Sequence, residues 1–372
     1  MTSITNREFQ LRIEKTQKLL RDRSIQALFC TLGTNFQYLL KAKSNSFERL
    51  VLGIINSNGT PHLICPAFEL QNYIENTPLS QDNISTWEET EDPFLLVKKL
   101  SIEYGIQDTK IAISPQTSFT AFSKIKSVLP NATFIDALPI METTRIVKTD
   151  QEIEFMKKAS YFSARGIEAA FDQLAVGITE KEASALVEKE MSSLSRESSL
   201  FALVQFGANS SNPHGSPSDK KLKRDEVVLI DAGTSYNGYV GDITNTTVFG
   251  QPNERFLKVY NIIDEANHRA REVGSVGILS SQVDAAARDY IVEMGYGQYF
   301  THRTGHGIGL DVHEAPYIIE TNLVPLGLNN TYTIEPGIYI PGKFGVRIED
   351  DVVAKKNGCE QLSSPVRRYW EK

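Results

Sequence analysis

Apolar side chains recur among charges over residues 7–22, where Phe9, Leu11, Ile13, Leu19 and Leu20 mark the rhythm of an amphipathic helix. The run from Gln26 to Leu32 (QALFCTL) predicts a strand. Arg49–Asn56 and Pro61–Cys65 predict two more, joined through Asn58-Gly59, a pair suited to the positive φ of a hairpin turn. Helical spacing over Phe94–Tyr104 and Phe119–Val128 then alternates with short strands at Lys110–Ser114 and Thr133–Ile135. Strand and helix in alternation over about 140 residues predict an α/β domain. His62 stands alone at a strand start and reads as a surface histidine, and no cluster of titratable side chains converges in this half.

The polar stretch from Arg145 to Glu152 leads into a long helical pattern running from Asp150, its expected cap, to about Leu174. This places the boundary so that the domains span 1–145 and 146–372. A second helix follows Thr179, which forms a capping box with Glu182. Strands are predicted at Phe201–Phe206, Val227–Ala232 and Tyr239–Val248, and helices at Asn253–Val273 and Ser280–Met294. The chain returns to strands at Thr331–Ile334, Gly345–Val353 and around Gln361. Two helices followed by strands, twice over, predict two α+β halves with an internal pseudo-symmetry, although no sequence repeat is visible.

Length agrees with two domains, since 372 residues exceed what one ordinary core holds. A net charge of -7 and a pI near 5.6 speak against a nucleic-acid or anionic-membrane partner, either of which needs a basic face. Cys30, Cys65 and Cys359 are few and widely spaced, so they make neither a disulfide framework nor a thiolate metal site. The first twenty residues carry charges every few positions and lack the apolar core of a signal peptide. No apolar run reaches membrane-spanning length. The expected compartment is the cytoplasm.

The chemistry concentrates in the second half. Three of the six histidines, His302, His306 and His313, fall within THRTGHGIGLDVH (301–313), interleaved with Gly305, Gly307 and Gly309. By itself this window is either a bent segment that gathers imidazoles or a Gly-rich loop with solvated histidines. Carboxylates elsewhere bear on the choice. Asp231 ends the apolar run Val227-Val-Leu-Ile, where it needs a cation, a salt bridge or hydrogen-bond donors. Asp242 follows the turn Asn237-Gly238, so paired strands bring the two aspartates face to face, and a cation between them removes their repulsion.

Glu335 ends the strand Thr331-Tyr-Thr-Ile and is held extended by Pro336. Alternation from Val346 sends Arg347, Glu349 and Asp351 to one face, although Asp350 and Asp351 also fit a solvated acidic turn. Four carboxylates with His306 form an oxygen-rich set suited to two hard or borderline divalent ions such as Mn²⁺ or Co²⁺. The spacing is not that of an HExxH helix, because glycines flank His306 and no Glu follows His302.

Val-Leu-Ile-Asp-Ala-Gly (228–233), Gly-Asp-Ile-Thr (241–244), Thr-Gly-His-Gly-Ile-Gly-Leu (304–310), Ile-Glu-Pro-Gly-Ile-Tyr (334–339) and Val-Arg-Ile-Glu-Asp (346–350) together resemble, in order, the pita-bread metallopeptidases. Within that family the chain is similar to the Xaa-Pro peptidases, prolidase and aminopeptidase P, over about residues 150–365. Residues 1–140 resemble the creatinase-type amino-terminal domain more weakly, through Gly33-Thr-Asn-Phe-Gln-Tyr-Leu. The resemblance implies an α+β pita-bread catalytic domain with pseudo-twofold halves, preceded by an α/β creatinase-type domain. It also implies Asp231, Asp242, His306, Glu335 and Glu349 as ligands of two divalent metal ions, with Mn favoured and Co or Zn as alternatives.

Further roles follow from the same resemblance. His214, His313 and Glu335 are implied to be catalytic, and His302 and Arg347 to bind substrate, Arg347 through a carboxylate. The substrate is a proline-containing di- or oligopeptide, and a homodimer is implied. The complete ligand set argues against creatinase, a metal-free relative. Asn245, where many members carry Arg, and the segment Gly327–Tyr332 (GLNNTY) depart from the family pattern. His268 reads as a surface residue.

Prolidase, restricted to dipeptides, is the favoured activity, and aminopeptidase P on longer chains is the alternative. Two rivals come from outside this reading. Metal content separates a metal-free binding protein on the same fold. Release of proline from Ala-Pro separates an enzyme that cleaves a C–N bond in a non-peptide substrate.

Overall fold

The computed structural model describes residues 4–42, 48–364 and 367–371, and the chain divides into two units, Met1–Arg145 and Ile146–Lys372. In the first, the elements run α1 (Asn6–Asp22), β1 (Ala27–Thr31), α2 (Thr34–Leu40), β2 (Leu52–Asn56), β3 (His62–Pro66), α3 (Leu70–Asn76), β4 (Ile84–Trp87), α4 (Pro93–Glu103), β5 (Lys110–Ile113), α5 (Phe119–Val128), β6 (Thr133–Asp136) and α6 (Leu138–Arg145). The strands form one mixed sheet in the order β4-β3-β2-β1-β5-β6. Apolar residues of the inner strands, such as Phe29, Ile54 and Ile111, pack with Val97 and Leu100 of α4 and Ile125 of α5.

The expected α/β alternation is present, with three short helices added: α2, α3 and α6. Each has no more than eight residues, too few turns for an apolar stripe to stand out. His62 corrects the surface reading. It is buried on β3, with Nε2 2.8 Å from Ser85 Oγ and Nδ1 2.8 Å from the Tyr104 hydroxyl. Burial lowers its pKa, so it is a satisfied neutral histidine inside the sheet layer.

The second unit continues with α7 (Asp150–Asp172), α8 (Glu180–Ser195), β7 (Phe201–Phe206), β8 (Glu226–Tyr236), β9 (Tyr239–Phe249), α9 (Glu254–Val273) and α10 (Ser280–Glu293). It ends with β10 (Gly305–Gly307), β11 (Glu314–Ile318), β12 (Thr331–Ile334), β13 (Gly337–Ile340), β14 (Phe344–Arg347), β15 (Asp350–Lys355) and β16 (Gly358–Gln361). The cap of α7 is Thr149 and not Asp150: its side chain accepts from Glu152 N while Glu152 Oε2 accepts from Thr149 N, a reciprocal pairing that a carboxylate one position later cannot make. Thr179 and Glu182 form the expected box on α8.

Each half is a helix pair followed by a sheet. Helices α7 and α8 pack on the antiparallel sheet β7-β8-β9, through Ile167, Val187 and Met191 against Val204, Val228 and Ile230. Helices α9 and α10 pack on the sheet β11-β10-β12-β15-β16 and on the ribbon β13-β14, through Ile263 and Val283 against Ile334, Ile338 and Val346. These are the two α+β halves of the pita-bread fold. The single strand expected over Gly345–Val353 is instead β14 and β15, interrupted at Ile348-Glu349. Antiparallel β12 and β13 break opposite it at Glu335-Pro336, where the proline has no N–H to donate to a ladder.

Within the histidine window, Gly305 and Gly307 lie on β10, an interior strand between β11 and β12. A Cβ on Gly305 would fall 1.9 Å from Thr333 O, and one on Gly307 would fall 2.2 Å from Ala315 O. Backbone atoms cannot swing aside as a side chain can. Gly305→Ala is therefore expected to destabilise the protein by about 2–3 kcal/mol, read as a lower urea midpoint with unchanged slope.

Candidate metal centre

Asp231 and Asp242 lie on β8 and β9. In the ladder Asp231 pairs with Thr244 and Gly233 with Asp242, so the aspartates are diagonal neighbours on one face, not directly opposed. The chain break between β14 and β15 brings Glu349 to the same face: Glu349 N donates to Thr244 O at 3.0 Å, and Thr244 Oγ donates to Glu349 Oε2 at 2.7 Å. His306 arrives from β10 and Glu335 from the end of β12, whose N–H donates to Thr304 O at 2.7 Å.

Three of these residues close on one point. Asp242, His306 and Glu349, all buried, each offer an atom within 4.8 Å of the others. His306 Nε2 lies 3.4 Å from Glu335 Oε1 and 4.0 Å from Asp242 Oδ2. His306 Nδ1 is 3.0 Å from the Gly307 carbonyl, which can only accept, so Nδ1 carries the proton and the Nε2 lone pair faces the carboxylates. Burial and the neighbouring His313 push the pKa of His306 down to about 3. It is a neutral imidazole with its donor pair aimed inward.

The carboxylates carry the opposite perturbation. Burial, then Glu349 and Asp231, hold Asp242 well above the ordinary range, and burial with Glu335 does the same to Glu349. Burial raises Glu335 to about 7 against the opposing pull of Arg347. Asp231 Oδ1 and Asp242 Oδ1 are buried with no hydrogen-bond partner among the described residues. Carboxylate oxygens left unpaired among like charges fit a divalent cation, and this donor set of hard oxygens with one imidazole suits such an ion.

The other expected residues border a cavity of about 610 Å³ that includes this cluster and takes apolar lining from Phe201, Leu203, Val312 and Ile319. His313 is exposed, with its ring perpendicular to that of His306 at 4.1 Å between centroids. His214 is exposed at the cavity wall. His302 is more constrained: Nε2 is 2.8 Å from the Tyr339 hydroxyl and Nδ1 is 2.7 Å from Arg303 O. Arg347 Nη1 donates to that same tyrosine oxygen at 2.9 Å, which turns the hydroxyl proton toward His302.

Burial, reinforced by Arg347, brings His302 down to about 4, far below the ordinary histidine value of 6.5. As pH falls, the unfolded chain therefore takes up this proton first. Stability from a neutral His302 is complete above about pH 6.5 and is lost between there and about pH 4, by up to ~3 kcal/mol. Urea unfolding at pH 7 and pH 5 is expected to show a smaller loss in His302→Gln than in the natural protein.

Arg347 is not an open fork. Its Nε donates to Thr244 Oγ, Nη1 to Tyr339 and to Pro213 O, and Nη2 to Asp231 Oδ2 at 2.7 Å. Arg303 also lines the cavity, and its guanidinium carries no hydrogen bond or ion pair among the described residues, lying 4.6 Å from the Tyr317 ring centre. Sequence reasoning passes over Arg303 and Tyr339. Position beside His302 and the end of the Ile-Glu-Pro-Gly-Ile-Tyr motif were the signals available.

Asp350 and Asp351 correct the reading as a solvated turn, for both are fully buried. Asp351 Oδ2 accepts from Asp242 N at 2.9 Å and from Ser160, and so braces the ligand strand. Asp350 pairs with Arg367. Asn245 is buried opposite Ile230, and strand alternation puts it on the face away from Asp242 and Thr244. In the GLNNTY segment, Asn330 closes a turn by accepting from Gly327 N at 2.7 Å.

Residues 154–356 match metallopeptidase family M24, and residues 12–147 match the creatinase/prolidase N-terminal domain. The chain belongs to metallopeptidase family M24 and carries its pita-bread fold. It is 35% identical over 353 residues to an uncharacterized peptidase of Staphylococcus haemolyticus, covering 95% of this chain and 98% of that one. A recombinant prolidase from Thermococcus sibiricus superposes with a TM-score of 0.90 at 32% identity, over 98% and 99% of the two chains. An Xaa-Pro dipeptidase from Bacillus anthracis gives 0.88 at 30%, over 97% and 99%.

Proposed function

We propose that this protein is a metal-dependent Xaa-Pro dipeptidase, with Asp231, Asp242, His306, Glu335 and Glu349 as the ligands of two divalent ions, Mn²⁺ favoured. The observation that carries the reading is the buried cluster of Asp242, Glu349 and the neutral His306, with Glu335 Oε1 3.4 Å from His306 Nε2 and Asp231 raising the pKa of Asp242. When bound, the ions supply an activated water near neutral pH and polarise the scissile carbonyl.

The chain's own residues do the rest. Glu335, raised to about 7, is matched to accept a proton near neutrality and return it to the proline nitrogen. That nitrogen belongs to a tertiary amide, which has no N–H to offer a binding groove. The apolar wall of Phe201, Leu203 and Ile319 suits a pyrrolidine ring. His313 and His214, both lining the cavity, are assigned as donors to the developing oxyanion or leaving group. His302, locked through Tyr339, contributes ring surface and keeps Arg347 in place.

The anionic end of a dipeptide falls to Arg303, the uncommitted guanidinium of the cavity. Arg303→Ala is expected to raise KM for Ala-Pro about tenfold while kcat changes far less, measured by proline release. Dipeptide restriction itself is tested by assaying Ala-Pro beside Ala-Pro-Ala. Cleavage of the dipeptide alone supports the proposal. Comparable cleavage of both assigns the aminopeptidase P activity instead.

A further inference from the structure

One buried amide outside the ligand set is placed where it controls that set. Asn267 lies on α9, fully buried, in the core that holds Ile263, Ala266 and Ala270 of its own helix, Ile334 and Ile338 of β12 and β13, and Ile348 in the gap between β14 and β15. An amide in such surroundings costs stability unless its hydrogen bonds are made, and a leucine would suit the packing better. Its bonds are specific. Nδ2 donates to Ile334 O at 2.9 Å and to Ile348 O at 3.4 Å. Oδ1 accepts from Arg271 Nε at 2.8 Å, and Arg271 Nη1 is itself held by Gln361 Oε1 at 3.1 Å. The arginine donates only, so it fixes which way the amide is turned.

Both carbonyls belong to the residue immediately before a carboxylate of the centre, Ile334 before Glu335 and Ile348 before Glu349. Both stand where the strands break, β12 ending at Ile334 and β15 starting only at Asp350. Between the ladder pairs Ile334–Asp350 and Gly337–Arg347, the direct backbone link among the described residues is a long one, from Ile348 N to Pro336 O at 3.5 Å. The Asn267 nitrogen, bonded to both carbonyls, adds the shorter tie across this gap. We infer that Asn267 is a positioning residue for the metal centre: it sets the separation of Glu335 and Glu349 by clamping the backbone in front of each, with Arg271 as its lock. This rests on the proposed ligand roles of the two glutamates. It assigns to a buried helix residue a function that contact with substrate or ion does not supply.

The test uses full-length protein stripped of metal and titrated with Mn²⁺ by calorimetry. Natural protein is expected to bind two ions. Asn267→Leu, with its fold checked by circular dichroism and thermal unfolding, is expected to bind them 10–100-fold more weakly, the range typical of residues that orient metal ligands from behind. The electron paramagnetic resonance signature of the Mn-loaded pair should change with it. Hydrolysis of Ala-Pro should lose kcat with KM within about twofold, and excess Mn²⁺ should restore part of the loss. His268→Ala, beside it on the exposed face of α9, should leave binding unchanged.

A folded Asn267→Leu with natural Mn²⁺ affinity and an unchanged resonance spectrum overturns the inference alone. Natural protein that binds no ion overturns the metalloenzyme reading, and this inference with it. If Asn267→Leu does not fold, Asn267→Ser decides: a shorter single donor should give an intermediate affinity, and unchanged affinity overturns the clamp.

Discussion

Glu349→Ala is expected to lose bound metal and to lower kcat/KM for Ala-Pro by at least about a thousandfold, with the fold retained. Glu349 is buried, offers an atom within 4.8 Å of atoms of Asp242 and His306, and is tethered to Thr244 by two hydrogen bonds. Replacing it removes a ligand atom that nothing nearby can replace. Asp350 is paired with Arg367, and Asp351, two residues on, is committed to Ser160 and to the backbone of Asp242. Asp242→Ala should behave alike. Metal content by mass spectrometry, read beside proline release, separates this outcome from simple unfolding.

The second large effect has the opposite sign from what substitution of a buried residue usually does. Without an ion, Asp242 is held well above its ordinary pKa by burial and by three further carboxylates of the same cluster. A group whose folded pKa is raised takes up a proton more readily in the folded state, so it subtracts stability as pH rises above the ordinary carboxylate range. At pH 7, above the ordinary carboxylate range, the metal-free protein carries a cost of this sign. Asp242→Asn, which keeps the shape and removes the charge, is expected to unfold at a higher temperature than the natural chain when both are metal-free.

Adding a divalent ion should reverse the order. At a hundredfold excess over its dissociation constant, binding stabilises the natural protein by about 2.7 kcal/mol, or about 5–10 °C in Tm, and leaves the variant nearly where it was. Stability given up for function in this way is expected of a site built from like charges. Differential scanning calorimetry of the four samples checks both signs. A metal-free Asp242→Asn less stable than its parent would contradict the account of the cluster.

What the sequence reveals of this site is what local chemistry controls. Asp231 following the apolar run Val227–Ile230, Glu335 before a proline and His306 between glycines each carry a signal within a few residues. The long helices and long strands of the second unit follow the apolar pattern, whereas the short strands β10, β11 and β13 escape it, because three to five residues are too few to express a period. The features that escape are those set by distant partners. His62 gains its burial from Ser85 and Tyr104, and Asp351 gains its own from Ser160 and Asp242, none of them near in sequence.

The engagement of Arg347 is of this kind. An arginine two residues from Glu349 suggests a carboxylate clamp, yet the fork is spent on Asp231, Thr244 and Tyr339, which reach it from three other strands. The strand break at Ile348-Glu349 escapes for a related reason. Alternation of Val346, Arg347, Ile348 and Glu349 reads as one strand, and only the opposing Pro336 on the neighbouring chain accounts for the interruption. Periodicity identifies which face a residue takes, and tertiary pairing decides where a ladder stops.

The most direct measurement of the central claim is proline release from Ala-Pro by the purified protein, before chelation, after metal removal confirmed by mass spectrometry, and after addition of Mn²⁺. The account predicts that activity disappears with the metal and returns as two ions bind per chain. Hydrolysis that persists in the verified metal-free protein would contradict it.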